Sequence, residues 1–191
     1  MKKRTTIRIS AFLLCLCCAF FTSCKEDDGK GYVFGYDISS NPGSLDPQYA
    51  SDRESYLIIG SVFEGLFRIG ADGNAEKAMA ESYTVSDDGL TYNFKLKQDR
   101  YWTDVNGYNK KVTAADFVFG FRRLFLPETR APKASEYFCI KNSDKINSGE
   151  ITDLSQLGVT AQGDYSLTIE LQYTEPSFAM LLAMPAAMPC N

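Results

Sequence analysis

Residues 82–96 read Ser82-Tyr-Thr-Val-Ser-Asp-Asp-Gly-Leu-Thr-Tyr-Asn-Phe-Lys-Leu96. Two runs of strand-forming residues flank an Asp88-Gly89 step, a strong short-range signal for a tight antiparallel turn. In the second run Leu90, Tyr92, Phe94 and Leu96 alternate with Thr91, Asn93, Lys95 and Lys97. A period of two sends these sets to opposite faces, so the segment predicts a hairpin over 82–85 and 90–96 with one apolar face.

Outward from the hairpin, the period changes. Thr113-Ala-Ala-Asp116 has the form of a capping box, and Phe117, Val118, Phe121, Leu124 and Phe125 follow at helical spacing. Pro127 stops that helix near Leu126. Upstream, Tyr56, Ile59 and Phe63 share one face of a second helix over Ser51–Phe63. Leu66–Ile69 is a short apolar run, and Gly70–Asn74 is a turn. Ala134–Asn147 is read as a helix, Gly158–Gly163 as a short strand and turn, and Leu167, Ile169 and Leu171 as a further strand. Pro176 suits the first position of a helix to about Ala183. Alternation of Tyr32, Phe34, Tyr36 and Ile38 suggests a strand, and Ser39–Asp46 is a loop. Hairpins and helices interleave irregularly, so the expected class is α/β in the mixed, α+β sense.

The first 24 residues have a different character. Lys2, Lys3, Arg4 and Arg8 precede an apolar run over residues 9–21, and Thr22-Ser23-Cys24 follows. A basic start, a short apolar stretch and small residues before a cut site describe a secretory signal, here residues 1–23. The run is too short for a membrane span, which takes roughly 20 residues. Phe21-Thr-Ser-Cys24 resembles the lipobox of bacterial lipoproteins, with Phe where Leu is commoner. That resemblance makes Cys24 the lipidation site and the mature N-terminus. The alternative is an ordinary signal peptide with a chance cysteine. Residues 24–31 then form a charged tether.

The net charge is −4, and without the signal 16 bases face 24 acids, a charge of −8. So acidic a chain offers no phosphate-binding surface, and no nucleic-acid partner is expected. The chain has no His, which excludes His-based catalysis and His metal ligation. No nucleophile stands with a base and an orienting group, and no phosphate-binding glycine loop occurs. Neither an enzyme, a cofactor nor a metal site is expected. Of six cysteines, Cys139 and Cys190 remain after processing. A disulfide between them is permitted in an oxidising compartment, and two thiols are the favoured alternative.

Asn41-Pro-Gly-Ser-Leu-Asp-Pro-Gln48 looks like the opening motif of the family 5 solute-binding proteins of bacterial ABC importers, the peptide and nickel binders. Phe63-Glu-Gly-Leu66, Ala80-Glu-Ser-Tyr83, residues 85–94, Tyr101-Trp-Thr-Asp104, Val112–Val118, Arg122-Arg123, Leu157–Ala161 and Tyr165–Ile169 follow in the family's order. The pattern is closest to the oligopeptide-binding branch. Between Trp102 and Val112 this chain is longer than the family's usual Asp-Gly step. The resemblance implies a two-lobed, periplasmic-binding-protein-like fold. Residues 32–191 would supply part of the first lobe and most of a small side domain, and the second lobe would be missing. It implies an extracytoplasmic protein held at the membrane by its lipid. Its partners would be an oligopeptide ligand and the importer's permease and ATPase subunits. By offset from Ser44-Leu-Asp-Pro47, Ser51, Asp52 and Arg53 are expected to offer backbone groups to the ligand. Their other reading is a helix start, with Ser51 or Asp52 as cap. The opening motif itself is expected to be structural. Alternatives are a binder of another solute (nickel chelate, opine or sugar) on the same fold, or a non-binding surface lipoprotein.

Overall fold

The computed structural model describes residues 35, 37–104 and 106–191. The signal, Cys24 and most of the strand expected over Tyr32–Ile38 lie outside the described residues. The sheet and helices all belong to one unit, Ile38–Asn191.

The hairpin forms where the alternation places it, as β3 (Ala80–Val85) and β4 (Thr91–Leu96). Val85 faces Tyr92 and Tyr83 faces Phe94. Between them Gly89 takes a φ of 73°, the conformation a glycine adopts without strain. Its N–H donates to the Ser86 carbonyl at 2.9 Å, and the Leu90 N–H donates to Asp88 Oδ1 at 3.0 Å. β4 pairs with β8 (Ser166–Glu170), and β8 with β7 (Val159–Ala161), so the sheet is antiparallel in the order β3-β4-β8-β7. Two small hairpins flank it: β1 (Phe67–Ile69) with β2 (Ala75–Lys77), and β5 (Tyr101–Thr103) with β6 (Asn109–Lys111). The second fills the stretch between Trp102 and Val112, read from sequence as a lengthened loop.

One sheet face carries Tyr92, Phe94, Leu167, Ile169 and Val159. The long helix α2 (Ala114–Phe125) packs with β7, and its Phe117, Phe121, Leu124 and Phe125 join that core with almost no exposed surface. Asp116 reaches back to accept the Thr113 N–H at 2.7 Å, which completes that side of the expected capping box. A row of rings ties the layers together. Phe67 meets Tyr83 at 5.3 Å, Tyr83 stacks on Phe94 at 5.7 Å, and Tyr92 meets Phe178 edge-on at 5.0 Å. In β8 the alternation breaks. Thr168 is buried on the opposite face, where its hydroxyl donates to Asn93 Oδ1 at 2.8 Å.

Two expected helices are corrected. Ala134–Asn147 is one turn of 3-10 helix (Ala134–Tyr137), an extended step, and the short α3 (Ser143–Asn147). The break has a tertiary cause. The Lys141 N–H donates to Glu170, the Cys139 carbonyl accepts from Gln172, and Ile140 bridges Leu171. These backbone groups extend the sheet instead of closing a helix, and Asn142 turns the chain in the left-handed region at φ 63°. The helix expected from Pro176 to Ala183 shrinks to α4 (Phe178–Leu181). Glu175 Oε1 accepts the Ser177 N–H at 2.9 Å and its hydroxyl at 2.5 Å. That contact moves the start two residues past Pro176 and drops Phe178 into the aromatic row. Among the described residues no helix is long and apolar enough to cross a membrane.

Candidate ligand-binding site

The helix expected over Ser51–Phe63 forms as α1 (Arg53–Val62). Asp52 is its N-cap: Oδ1 accepts the Ser55 N–H at 2.8 Å, and Oδ2 accepts the Ser55 hydroxyl at 2.6 Å and the Gly43 N–H at 3.1 Å. These hydrogen bonds, the Ser55 hydroxyl foremost, hold its carboxyl below the usual range. The Asp52 side chain is therefore committed to the helix start, as one of the two sequence readings has it. Ser51 and Arg53 are exposed. Their backbone N–H groups have no hydrogen-bond partner among the described residues.

The opening motif is fixed from below. Arg123, on α2, donates to both oxygens of Asp46, with one bond at 2.6 Å, and to Gln48 Oε1 at 2.7 Å. The buried Gln48 side chain donates to the Met188 carbonyl at 3.1 Å, and the Cys190 thiol donates to Gln48 Oε1 at 2.8 Å. One guanidinium thus clasps the motif loop to the long helix, and Gln48 carries the link to the last residues. The ionised Arg123 holds the Asp46 carboxyl below its usual range. Burial raises the Cys190 thiol. Cys139 is buried and its thiol is pushed up to about 11, mainly by burial. Both cysteines are free, so the disulfide alternative does not hold in this structure.

Beside α1 lies a groove of about 930 Å³. Ser51, Asp52 and Arg53 are among its lining residues, together with Tyr56, Val62, Phe63, Trp102, Met184 and Met188. Glu64 accepts from Arg100 Nε at 3.2 Å within it. A shallower hollow of about 670 Å³ shares Phe63 and Trp102 with the groove. The two rings meet edge-on at 6.0 Å, and the indole N–H donates to Asp116 at 3.3 Å. Trp102 is therefore both a packed residue and a groove wall. The structure brings the three sequence-named residues to one groove. The Glu64–Arg100 pair and the methionines were not anticipated, and nothing local in the sequence joins positions 36 residues apart. The groove offers backbone donors, aromatic faces and flexible thioethers, which suits capture of a ligand. No cluster of three or more His, Cys, Asp or Glu able to hold a metal occurs among the described residues.

The family model of the bacterial extracellular solute-binding proteins, family 5 (middle), matches residues 74–190. The dipeptide-binding protein of Lactococcus lactis subsp. cremoris is 35% identical over 187 residues, which is 98% of this chain and 32% of that protein. The probable deoxycholate-binding periplasmic protein YgiS of Escherichia coli is 35% identical over 160 residues, 82% of this chain and 29% of its own. The structure of Listeria monocytogenes OppA bound to peptide superposes with a TM-score of 0.75 at 32% identity, covering 81% of this chain and 30% of that one. The chain spans about a third of the length of the curated relatives it matches.

Proposed function

Because this chain belongs to the bacterial extracellular solute-binding proteins of family 5, we propose that its protein captures peptides outside the cytoplasm and delivers them to an ABC importer. The observation that carries the reading is the match to a dipeptide-binding protein along 98% of this chain. The likeness to a peptide-bound OppA adds to it. In this reading residues 1–23 are a cleaved signal, Cys24 carries the lipid and residues 24–31 are the tether. Residues 32–191 are the N-terminal part of the binding domain. Ser51, Asp52 and Arg53 offer backbone groups to an extended peptide, as a strand joins a sheet edge. Main-chain pairing gives affinity without reading the peptide's sequence. Closure of two lobes around the ligand completes capture. The membrane permease and ATPase are the downstream partners.

A second reading has its own support. A relative of equal identity carries the description of a probable deoxycholate binder, so a non-peptide solute on the same fold is the competing ligand class. The test uses the complete protein, stripped of co-purified ligand, in thermal shift with a peptide library, deoxycholate and nickel. A ligand that binds only the folded state raises stability by about 2.7 kcal/mol at a hundredfold excess over its Kd. Stabilisation by peptides alone is the expected outcome. Stabilisation by deoxycholate without any peptide effect would replace the first reading with the second.

A further inference from the structure

Between the paired strands β5 and β6 the sequence reads Thr103-Asp-Val-Asn-Gly-Tyr108, the stretch in which this chain exceeds the usual family pattern. It contains the sequence's single Asn-Gly step, Asn106-Gly107. We propose that Asn106 is a site of spontaneous deamidation in the folded protein, and the first asparagine of this chain to convert.

The chemistry needs a backbone nitrogen that can swing onto the preceding side-chain amide. The Gly107 nitrogen gives up its proton to solvent base and attacks Asn106 Cγ. A C–N bond forms, the Cγ–Nδ2 bond breaks, and ammonia leaves. Water then adds to either carbonyl of the resulting succinimide, giving aspartate or isoaspartate. No electron transfer is involved.

The structure sets Asn106 apart from the other asparagines. Both Asn106 and Gly107 are exposed, and a Cβ built at Gly107 would meet nothing within 4 Å, so ring closure has room. The Asn106 amide is held by one long contact, 3.4 Å to Asp104 Oδ2, and the Gly107 N–H rests on the Asp104 carbonyl at 3.2 Å. Asn41 precedes Pro42, which has no N–H to attack. Asn93 lies within β4, between two paired strands. Asn142 gives its amide to the Gln156 carbonyl at 2.8 Å and is followed by the fully buried Ser143. Asn147 donates to the Phe125 carbonyl at 3.3 Å, and the next N–H is bonded to Asp144 at 2.9 Å. Asn74 and Asn109 precede Ala75 and Lys110, whose side chains hinder the attack. The Asp-Gly steps, of which Asp72-Gly73 and Asp88-Gly89 fall among the described residues, reach the same intermediate more slowly. Hydrogen bonds from the side chains of Asn74 and Ser86 keep Asp72 and Asp88 ionised, and a carboxylate anion is a poor electrophile.

Conversion has a structural consequence. Asp104 Oδ1 accepts the N–H groups of Asn106 and Tyr108, both at 2.8 Å, and so organises the turn. A carboxylate at 106 replaces a donor to Asp104 with a like charge. Isoaspartate also lengthens the backbone between the paired Thr103 and Asn109. The strand so disturbed carries Trp102, the sequence's single tryptophan and a wall of the groove.

The experiment incubates the purified full chain in mildly alkaline buffer, folded and in denaturant, followed by tryptic peptide mass mapping. The expected result is a deamidation mass shift confined to the Tyr101–Lys110 peptide in the folded sample. Methyltransferase labelling of isoaspartate there and a change in Trp102 emission should accompany it. Asn106→Gln removes all three changes. A folded sample that stays unshifted at Asn106 while the denatured one converts would overturn the proposal, as would earlier conversion at Asn142 or Asn147.

Discussion

Arg123 shows how one side chain gives a loop motif its shape. Its guanidinium engages Asp46 through both oxygens and Gln48 through its amide, while Tyr49 lies 5.6 Å from it as a cation–π partner. Asp46 and Arg123 are each about one-third exposed or less, so the pair is screened only in part. Its carboxyl is held below the ordinary value in the folded state. A group with a depressed folded pKa stabilises fully above its unfolded value, near 3.9, and the benefit fades as pH falls through the folded value. Asp46→Asn should therefore cost about 1–2 kcal/mol at neutral pH, after discounting for solvent. The difference from the parent should shrink as pH drops below about 4. Urea unfolding at neutral and acidic pH measures both. A difference that stays constant into the acid range would show that the charge on Asp46 is not what holds the loop. The clasp was not legible in the sequence. Asp46 and Arg123 lie 77 positions apart, and only the fold brings them together. The motif's structural role was legible, because Pro42, Gly43 and Pro47 restrict the loop whatever its partners.

At the scale of elements, what could be read and what could not divides along local and tertiary causes. The turn at Asp88-Gly89 and the face of α2 are set by neighbours within a few residues, and both formed where the pattern put them. Ala134–Asn147 failed because the backbone of Cys139 and Lys141 bonds across to Gln172 and Glu170, an option no local pattern displays. The groove divides in the same way: Ser51–Arg53, named in the sequence by resemblance, are among its lining residues, and its pair Glu64–Arg100 is joined by the fold alone. Two helical glycines test how far local propensity reaches. Gly60, in α1, is exposed, and an added Cβ would touch nothing within 4 Å. Gly60→Ala should stabilise by roughly 0.5–1 kcal/mol, since alanine loses less backbone freedom in a helix. Gly120 occupies the same kind of position in α2, yet its Cβ would fall 2.8 Å from the Met188 carbonyl. There the propensity gain meets a backbone clash, and Gly120→Ala should destabilise by about 1–3 kcal/mol. Denaturant midpoints for the two variants should move in opposite directions. Movement in the same direction would mean that the C-terminal residues do not pack against α2 as described.

At the scale of the whole molecule, charge and covalent chemistry act together. The bases before residue 24 stand without an acid, whereas the remainder carries 16 bases against 24 acids. An acidic body gains nothing from an anionic membrane surface, so electrostatics cannot keep it at the membrane. Under the proposed function, retention must come from lipid on Cys24, and two acyl chains anchor stably where a single chain is marginal. Fractionation of cells producing the complete protein separates these causes. The parent should sediment with membranes and resist extraction by high salt. Cys24→Ser should abolish acylation and remove the protein from the extractable membrane lipoproteins, either released after cleavage elsewhere or held as an unprocessed precursor. Those two products differ by the mass of the signal, so a gel resolves them. The binding domain is untouched in either, and the peptide response in thermal shift should match the parent's. If Cys24→Ser still yields a fully processed, detergent-extractable membrane protein, the anchor is elsewhere and Cys24 is a chance cysteine behind an ordinary signal. A simultaneous loss of peptide response would instead tie Cys24 to the folded domain rather than to the tether.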